Sequence, residues 1–255
     1  MPHGLRPARA LVVILTGLAL LAGCATAGRS SARSEVIRQI LPSTVQLRCE
    51  RGGGNRRAAS GVVMARDAST RRVWIVTTRH FLEPLIEQTV SARFAGVKEQ
   101  VAATVLRISQ GADLALLEVQ GIDSAPARLK DTVALGDEVW VVAYPWGRRM
   151  MLSNGVISQI VRDDAGVGYE GPARMVDVSV SYGASGGGVF DVLTGALVGL
   201  VEGYRTARMS PKGAAGAVIE VPVPGETTLI SADAIRRFVI EAGLLVATFL
   251  PSFSS

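Results

Sequence analysis

Short runs rich in β-branched residues, each closed by Gly, Asp, Ser or Arg, recur along most of this 255-residue chain and restrict its fold more than any other feature. Six occupy residues 45–49, 61–65, 73–77, 89–94, 101–108 and 114–119. Residues 121–130 read as a linker, and six more runs occupy 139–144, 151–161, 175–180, 188–192, 196–203 and 217–221. Runs of this length, bounded by turn formers, are strands. They do not alternate regularly with helices, which argues against a parallel α/β sheet. Six on each side of a linker predict an all-β protein of two β-barrels or sandwiches. The 28 glycines and the 5% aromatic content suit such a turn-rich chain. Only the end differs. Ser231 is an N-cap, Ile235, Phe238, Val239 and Ala242 share one helical face, and Gly243 is a C-cap, so a helix is expected over 231–243.

The N-terminus has another character. Arg6 and Arg9 precede an apolar stretch over residues 11–21, shorter than the roughly 20 residues that span a bilayer, and this reads as an export signal. It ends in Leu21-Ala22-Gly23-Cys24, which resembles the lipobox of bacterial lipoproteins. That resemblance implies removal of residues 1–23 and lipidation of Cys24. With Ala25 following rather than aspartate, it implies a cell-envelope protein anchored at the outer membrane and facing the periplasm. Residues 24–34 are small and polar and read as a flexible tether, and 35–41 as a short helix stopping before Pro42. The folded domain is expected over 35–245, with barrels at about 43–120 and 133–225 and a tail over 246–255.

Composition excludes several functions. The net charge is +5, two units of it in the leader, and no basic run is interleaved with aromatics, so nucleic acid is not an expected partner. With Cys24 lipidated, Cys49 is left without a disulfide partner and reads as a small buried hydrophobe. One histidine and one spare cysteine do not make a His/Cys zinc site, and no Asp/Glu cluster suggests another metal. No cofactor is expected.

Ser181-Tyr182-Gly183-Ala184-Ser185-Gly186-Gly187-Gly188 sets one serine in a glycine-rich turn between apolar runs. By itself the stretch also describes a flexible hairpin loop. As a site, it presents a hydroxyl and aims backbone N–H groups at one point, as an oxyanion hole requires. A nucleophilic serine needs a base, most often histidine. His3 lies in the leader, so the mature chain holds His80 alone. Gly183-x-Ser185-x-Gly187 fits the α/β-hydrolase elbow, but there the histidine follows the serine, and none follows Ser185. The order histidine, acid, serine remains.

Trp74-Ile75-Val76-Thr77-Thr78-Arg79-His80, Asp113-Leu114-Ala115-Leu116-Leu117 and the Ser185 loop resemble the three catalytic signatures of trypsin-like, chymotrypsin-fold serine proteases, most closely the HtrA (Deg) branch. Ser60-Gly61-Val62-Val63, the Pro145-Trp146-Gly147 turn and Asn154-Gly155-Val156-Ile157-Ser158 extend the resemblance over about residues 36–243. It implies an all-β fold of two six-stranded antiparallel β-barrels and an endopeptidase acting on protein or peptide substrates, with a function in protein quality control. Ser185 is the implied nucleophile, His80 the base, Asp113 its orienting acid, and the N–H groups of Gly183 and Ser185 the oxyanion hole. Gly188 stands where the family usually has proline, Tyr182 and Ala184 where it commonly has Pro and Asn, and no PDZ domain follows. The unusual loop motivates a second reading, a protease-fold binding module that never assembles the oxyanion hole. By resemblance the substrate pocket is framed by Ser179, Tyr182, Gly199 and Val201. No acid lies near Ser179, so small or medium apolar side chains are the expected preference, with Glu202 the one acid whose direction decides otherwise.

Overall fold

The strands follow the pattern that the punctuated runs predict. The computed structural model describes residues 32–161, 168–210 and 218–244; the leader, Cys24, most of the tether and the tail lie outside these. Strands β1 (Thr44–Arg51), β2 (Arg56–Asp67), β3 (Arg72–Thr77), β4 (Gln88–Arg93), β5 (Val101–Ile108) and β6 (Ala115–Gln120) close an antiparallel barrel in the order β1-β2-β3-β6-β5-β4. After the linker come β7 (Val133–Ala134), β8 (Glu138–Ala143), β9 (Met151–Ile160), β10 (Glu170–Gly171), β11 (Ala173–Val176), β12 (Gly188–Asp191), β13 (Leu197–Met209) and β14 (Ile219–Ser231). Six of these close the second barrel as β11-β14-β13-β12-β8-β9, while β7 and β10 pair separately.

The apolar residues divide by the two faces of the pleat. Val63, Ile75 and Leu117 point into barrel 1, and Val141, Val189 and Val201 into barrel 2. Their neighbours Val62, Met64, Val76, Val142 and Leu200 form a third core with Phe190. Strand β2 is buried on both faces over residues 59–65 for this reason. The C-terminal helix, Ala232–Glu241, sets Ile235, Phe238 and Val239 into the same third core, and Ser231 Oγ accepts from Ala234 N at its start.

Four boundaries differ from the sequence reading. Residues 32–34, read as tether, belong to a helix over 32–40, where Arg33 pairs with Glu138 and lies over the Trp140 ring. The strand expected over 175–180 stops at Val176, because the Asp177 carboxylate takes the Val156 N–H at 2.7 Å. Barrel 2 continues past residue 225 to Ser231: Pro222 and Pro224 interrupt the sequence signal, yet their segment of β14 pairs only with β13, where a proline can face an open edge. The short β7–β10 pair carries no strand signal of its own.

The linker is stapled to barrel 2. Leu129 bridges Leu197, and Lys130 Nζ donates to Asp191 Oδ2 at 2.6 Å. Asp191 Oδ1 also accepts from the Leu193 and Thr194 N–H groups and the Thr194 hydroxyl. Burial alone would raise this carboxyl, but those bonds outweigh it and hold Asp191 below the usual carboxylate range. Burial likewise opposes the Lys130 charge, and Asp191 and Asp137 overcome it, so the ammonium is pushed up.

Candidate active site

Barrel 1 brings His80 and Asp113 together by register. Thr77, at the end of β3, pairs with Ala115, at the start of β6. His80 follows the first in a single 3-10 turn, Arg79–Leu82, and Asp113 precedes the second. Arg79 N donates to Asp113 O at 3.1 Å, and Asp113 Oδ1 accepts from His80 N at 2.8 Å. Asp113 Oδ2 lies 2.6 Å from His80 Nδ1, and His80 Nε2 lies 3.1 Å from Ser185 Oγ. An aspartate facing Nδ1 assigns the proton to that nitrogen and leaves Nε2 free to accept from the serine hydroxyl. Arg57 Nη1 donates to the His80 carbonyl at 3.0 Å and to the Glu83 carbonyl, tying down the turn.

Ser185 comes from the loop between β11 and β12, and that loop is held from both barrels. Ser60, fully buried on β2, donates its N–H to Ser185 O at 2.8 Å and its hydroxyl to Gly183 O at 2.9 Å, and the same hydroxyl accepts from Tyr144 N at 2.8 Å. Its carbonyl accepts from Thr77 Oγ1 at 2.7 Å. Trp146 N donates to Tyr182 O at 2.6 Å. Across a trans peptide this turns the Gly183 N–H away from the Trp146 turn. Neither the Gly183 N–H nor the Ser185 N–H has an acceptor among the described residues. Both are therefore available to an incoming oxygen, and the loop that motivated the binding-module reading leaves these donors open.

Two glycines are required here. Gly183 has φ +89°, and a Cβ on it would lie 2.8 Å from Trp146 N and 2.9 Å from Tyr144 O. Gly186 has φ +80°, with its Cβ position 2.1 Å from Ser60 O. At Gly188 a Cβ would fall 2.3 Å from the Phe190 ring, which accounts for the small residue where proline is usual.

A cavity of about 270 Å³ opens beside these groups, lined by Arg57–Ala59, His80, Phe81, Val180–Gly183, Ser185 and Val201–Tyr204. Tyr182 and Val201 line it. Ser179 and Gly199 do not: Ser179 Oγ accepts from Gly225 N at 3.0 Å, and Gly199 lies inside the β13–β14 ladder opposite Ser231. Glu202 does line the cavity, which removes the premise that no acid is near. The Trp146 and Tyr182 rings stand 5.4 Å apart. The sequence reading missed Arg57, Thr77 and the Ser60 clamp, although the Ser60-Gly61 pair marked the place. Among the described residues, no group of His, Cys, Asp and Glu has the arrangement of a metal site.

The sequence matches the trypsin-like peptidase domain over residues 59–200. A probable periplasmic serine endoprotease, DegP-like, from Brucella suis is 30% identical over 202 residues, covering 75% of this chain and 36% of that one. The chain thus spans about a third of the length of that curated relative. A serine endoprotease from Yersinia pestis superposes with a TM-score of 0.62 at 18% identity, covering 84% of this chain and 68% of that one. An HtrA-type protease solved with a tripeptide gives 0.61 at 17%, covering 84% and 64%. These two show the shared fold. The family match takes in more than half of the sequence, and the chain accordingly belongs to the trypsin-like peptidases.

Proposed function

We propose that this chain is a serine endopeptidase of the cell envelope that cleaves protein substrates through His80, Asp113 and Ser185. The observation that carries the reading is the continuous path from Asp113 Oδ2 through both ring nitrogens of His80 to Ser185 Oγ, at 2.6 and 3.1 Å, beside two unengaged N–H groups. Ser185 Oγ attacks the scissile carbonyl while His80 Nε2 takes its proton. The oxyanion forms facing the Gly183 and Ser185 N–H groups, where each donor is worth about 10²–10³ in rate. Asp113 holds the tautomer and stabilises the imidazolium. His80 then returns the proton to the leaving amine. The acyl-enzyme is released by water, whose proton His80 takes in turn.

The periplasmic naming of the relative and the Leu21-Ala22-Gly23-Cys24 site support an envelope location, with Cys24 as lipid anchor and quality control of envelope proteins as the setting. Fluorophosphonate labelling and casein cleavage test the chemistry: wild-type protein labels and cleaves, and folded Ser185→Ala does neither. Folded wild-type protein that fails both overturns the reading. Detergent phase partitioning tests the anchor: Cys24→Ser moves to the aqueous phase, and a variant that stays in the detergent phase refutes it.

A further inference from the structure

The sequence expectation of an apolar preference rested on an empty stretch around Ser179. The structure puts an acidic residue elsewhere in the lining of the cavity that Ser185 and His80 share. In the β13–β14 ladder Val201 pairs with Leu229 and Gly203 with Thr228, so Glu202 is an extra residue with no partner opposite. A bulge of this kind redirects a side chain out of the regular pleat, and bulges concentrate beside active sites. The strand is anchored just before it, where Val201 exchanges backbone hydrogen bonds with Gly186 and Gly187, directly after the nucleophile. Glu202 is thus fixed relative to Ser185 and lines the cavity that Ser185 and His80 also line.

Its surroundings are unusual for this chain. Every other carboxylate among the described residues that is withdrawn from solvent has an ion pair or a hydrogen bond. Glu202 is partly buried and has neither. Arg57 lines the same cavity, but its Nη1 is engaged by the His80 and Glu83 carbonyls and makes no pair with Glu202. A partly desolvated carboxylate without a partner is a cost that a cationic ligand removes, and a charge-assisted hydrogen bond in such a setting is stronger than a neutral one.

We propose that Glu202 is a specificity-determining residue and that the cavity takes a basic side chain, lysine or arginine, from the substrate segment next to the scissile bond. This rests on the endopeptidase reading above and adds the substrate class to it. Peptides identical except for Lys, Arg, Leu or Ala at the two positions preceding the scissile bond provide the test. Wild-type kcat/KM is expected to favour a basic residue at one of them by about 10- to 100-fold. Glu202→Gln lowers that ratio toward one, and Glu202→Lys shifts the preference toward acidic residues. Wild-type protein with no basic preference at either position overturns the inference, and so does a preference that survives in Glu202→Gln. The wild-type comparison decides even where a variant fails to fold. Fluorophosphonate labelling separates the two readings: labelled wild-type protein without a basic preference refutes only the role of Glu202, whereas folded protein that does not label refutes the endopeptidase itself.

Discussion

Barrel 1 and barrel 2 reach their shared seam in different ways. Barrel 1 delivers His80 and Asp113 from the ends of two hydrogen-bonded neighbours, β3 and β6, so their pairing is completed by its own ladder. Barrel 2 delivers Ser185 from a loop between β11 and β12, and much of what orients it belongs to the other barrel. The His80–Asp113 pair is therefore a property of one barrel, whereas the Ser185 loop is held from both. A trypsin-like site placed at a seam makes barrel packing part of its chemistry.

The largest expected effects remove the reacting groups themselves. Ser185→Ala and His80→Ala should each lower kcat by about 10⁶, with the double variant little worse, because such groups act as a unit. Asp113→Asn should cost less, about 10⁴, by presenting the wrong tautomer. Steady-state kinetics on a peptide substrate checks all four variants, with circular dichroism to confirm folding. A well-folded His80→Ala protein that cleaved casein at the wild-type rate would break the comparison at its root.

Ser60 sharpens it. Ser60→Ala removes the hydroxyl bridge from Gly183 O to Tyr144 N without touching the reacting atoms. The expected result is a fall in kcat of about 10² with KM within a few-fold, since the loss is in oxyanion alignment. Binding of a peptide boronate should weaken in parallel. A variant with wild-type kcat would mean that barrel 2 aligns its own loop. Gly186→Ala examines the same contact from the other side. Its positive φ and a Cβ placed on the Ser60 carbonyl predict a loss of at least about 1–3 kcal/mol in thermal or denaturant unfolding.

The smallest expected effect concerns the linker staple, away from the seam. Asp191 is held below its unfolded value, so its contribution to stability is complete above the ordinary carboxylate pKa of about 3.9 and is lost as pH falls through the lower folded value. Lys130 is pushed above its own, so its contribution is complete below about 10.4 and is lost as pH rises through the folded value. Melting temperature followed across both windows should fall more steeply for wild type than for Asp191→Asn. Identical profiles would remove the staple from the account.

Much of the site was legible in the sequence because its signals are local. His80 is the one histidine after His3, and a histidine that precedes Ser185, with none following it, excludes the α/β-hydrolase elbow without any coordinates. The strand runs were equally local, since burial imposes β-branched residues wherever a strand lies. Ser179 and Gly199 were misplaced for the complementary reason. Two residues along the chain look equivalent in sequence, yet here Ser179 bonds the Gly225 turn and Gly199 lies inside a ladder. Ser60 carried no signal of its role, because its partners Gly183, Ser185 and Tyr144 are 84 or more residues away.

The sequence by itself determined the fold class, the boundary between two strand series and the identities of the three groups expected to do the chemistry. The first two follow from residue type and chain order, which folding does not alter, and the third from the resemblance of three short segments to a protease family's signatures. Only the tertiary structure decided which residues hold the serine loop, that the Gly183 and Ser185 N–H groups stay free, and that Glu202 faces the cavity. Each of these depends on a register or a bulge. One extra residue between Val201 and Gly203 leaves Glu202 without a partner opposite, and that offset arises from pairing with Leu229 and Thr228, 25 or more residues along the chain.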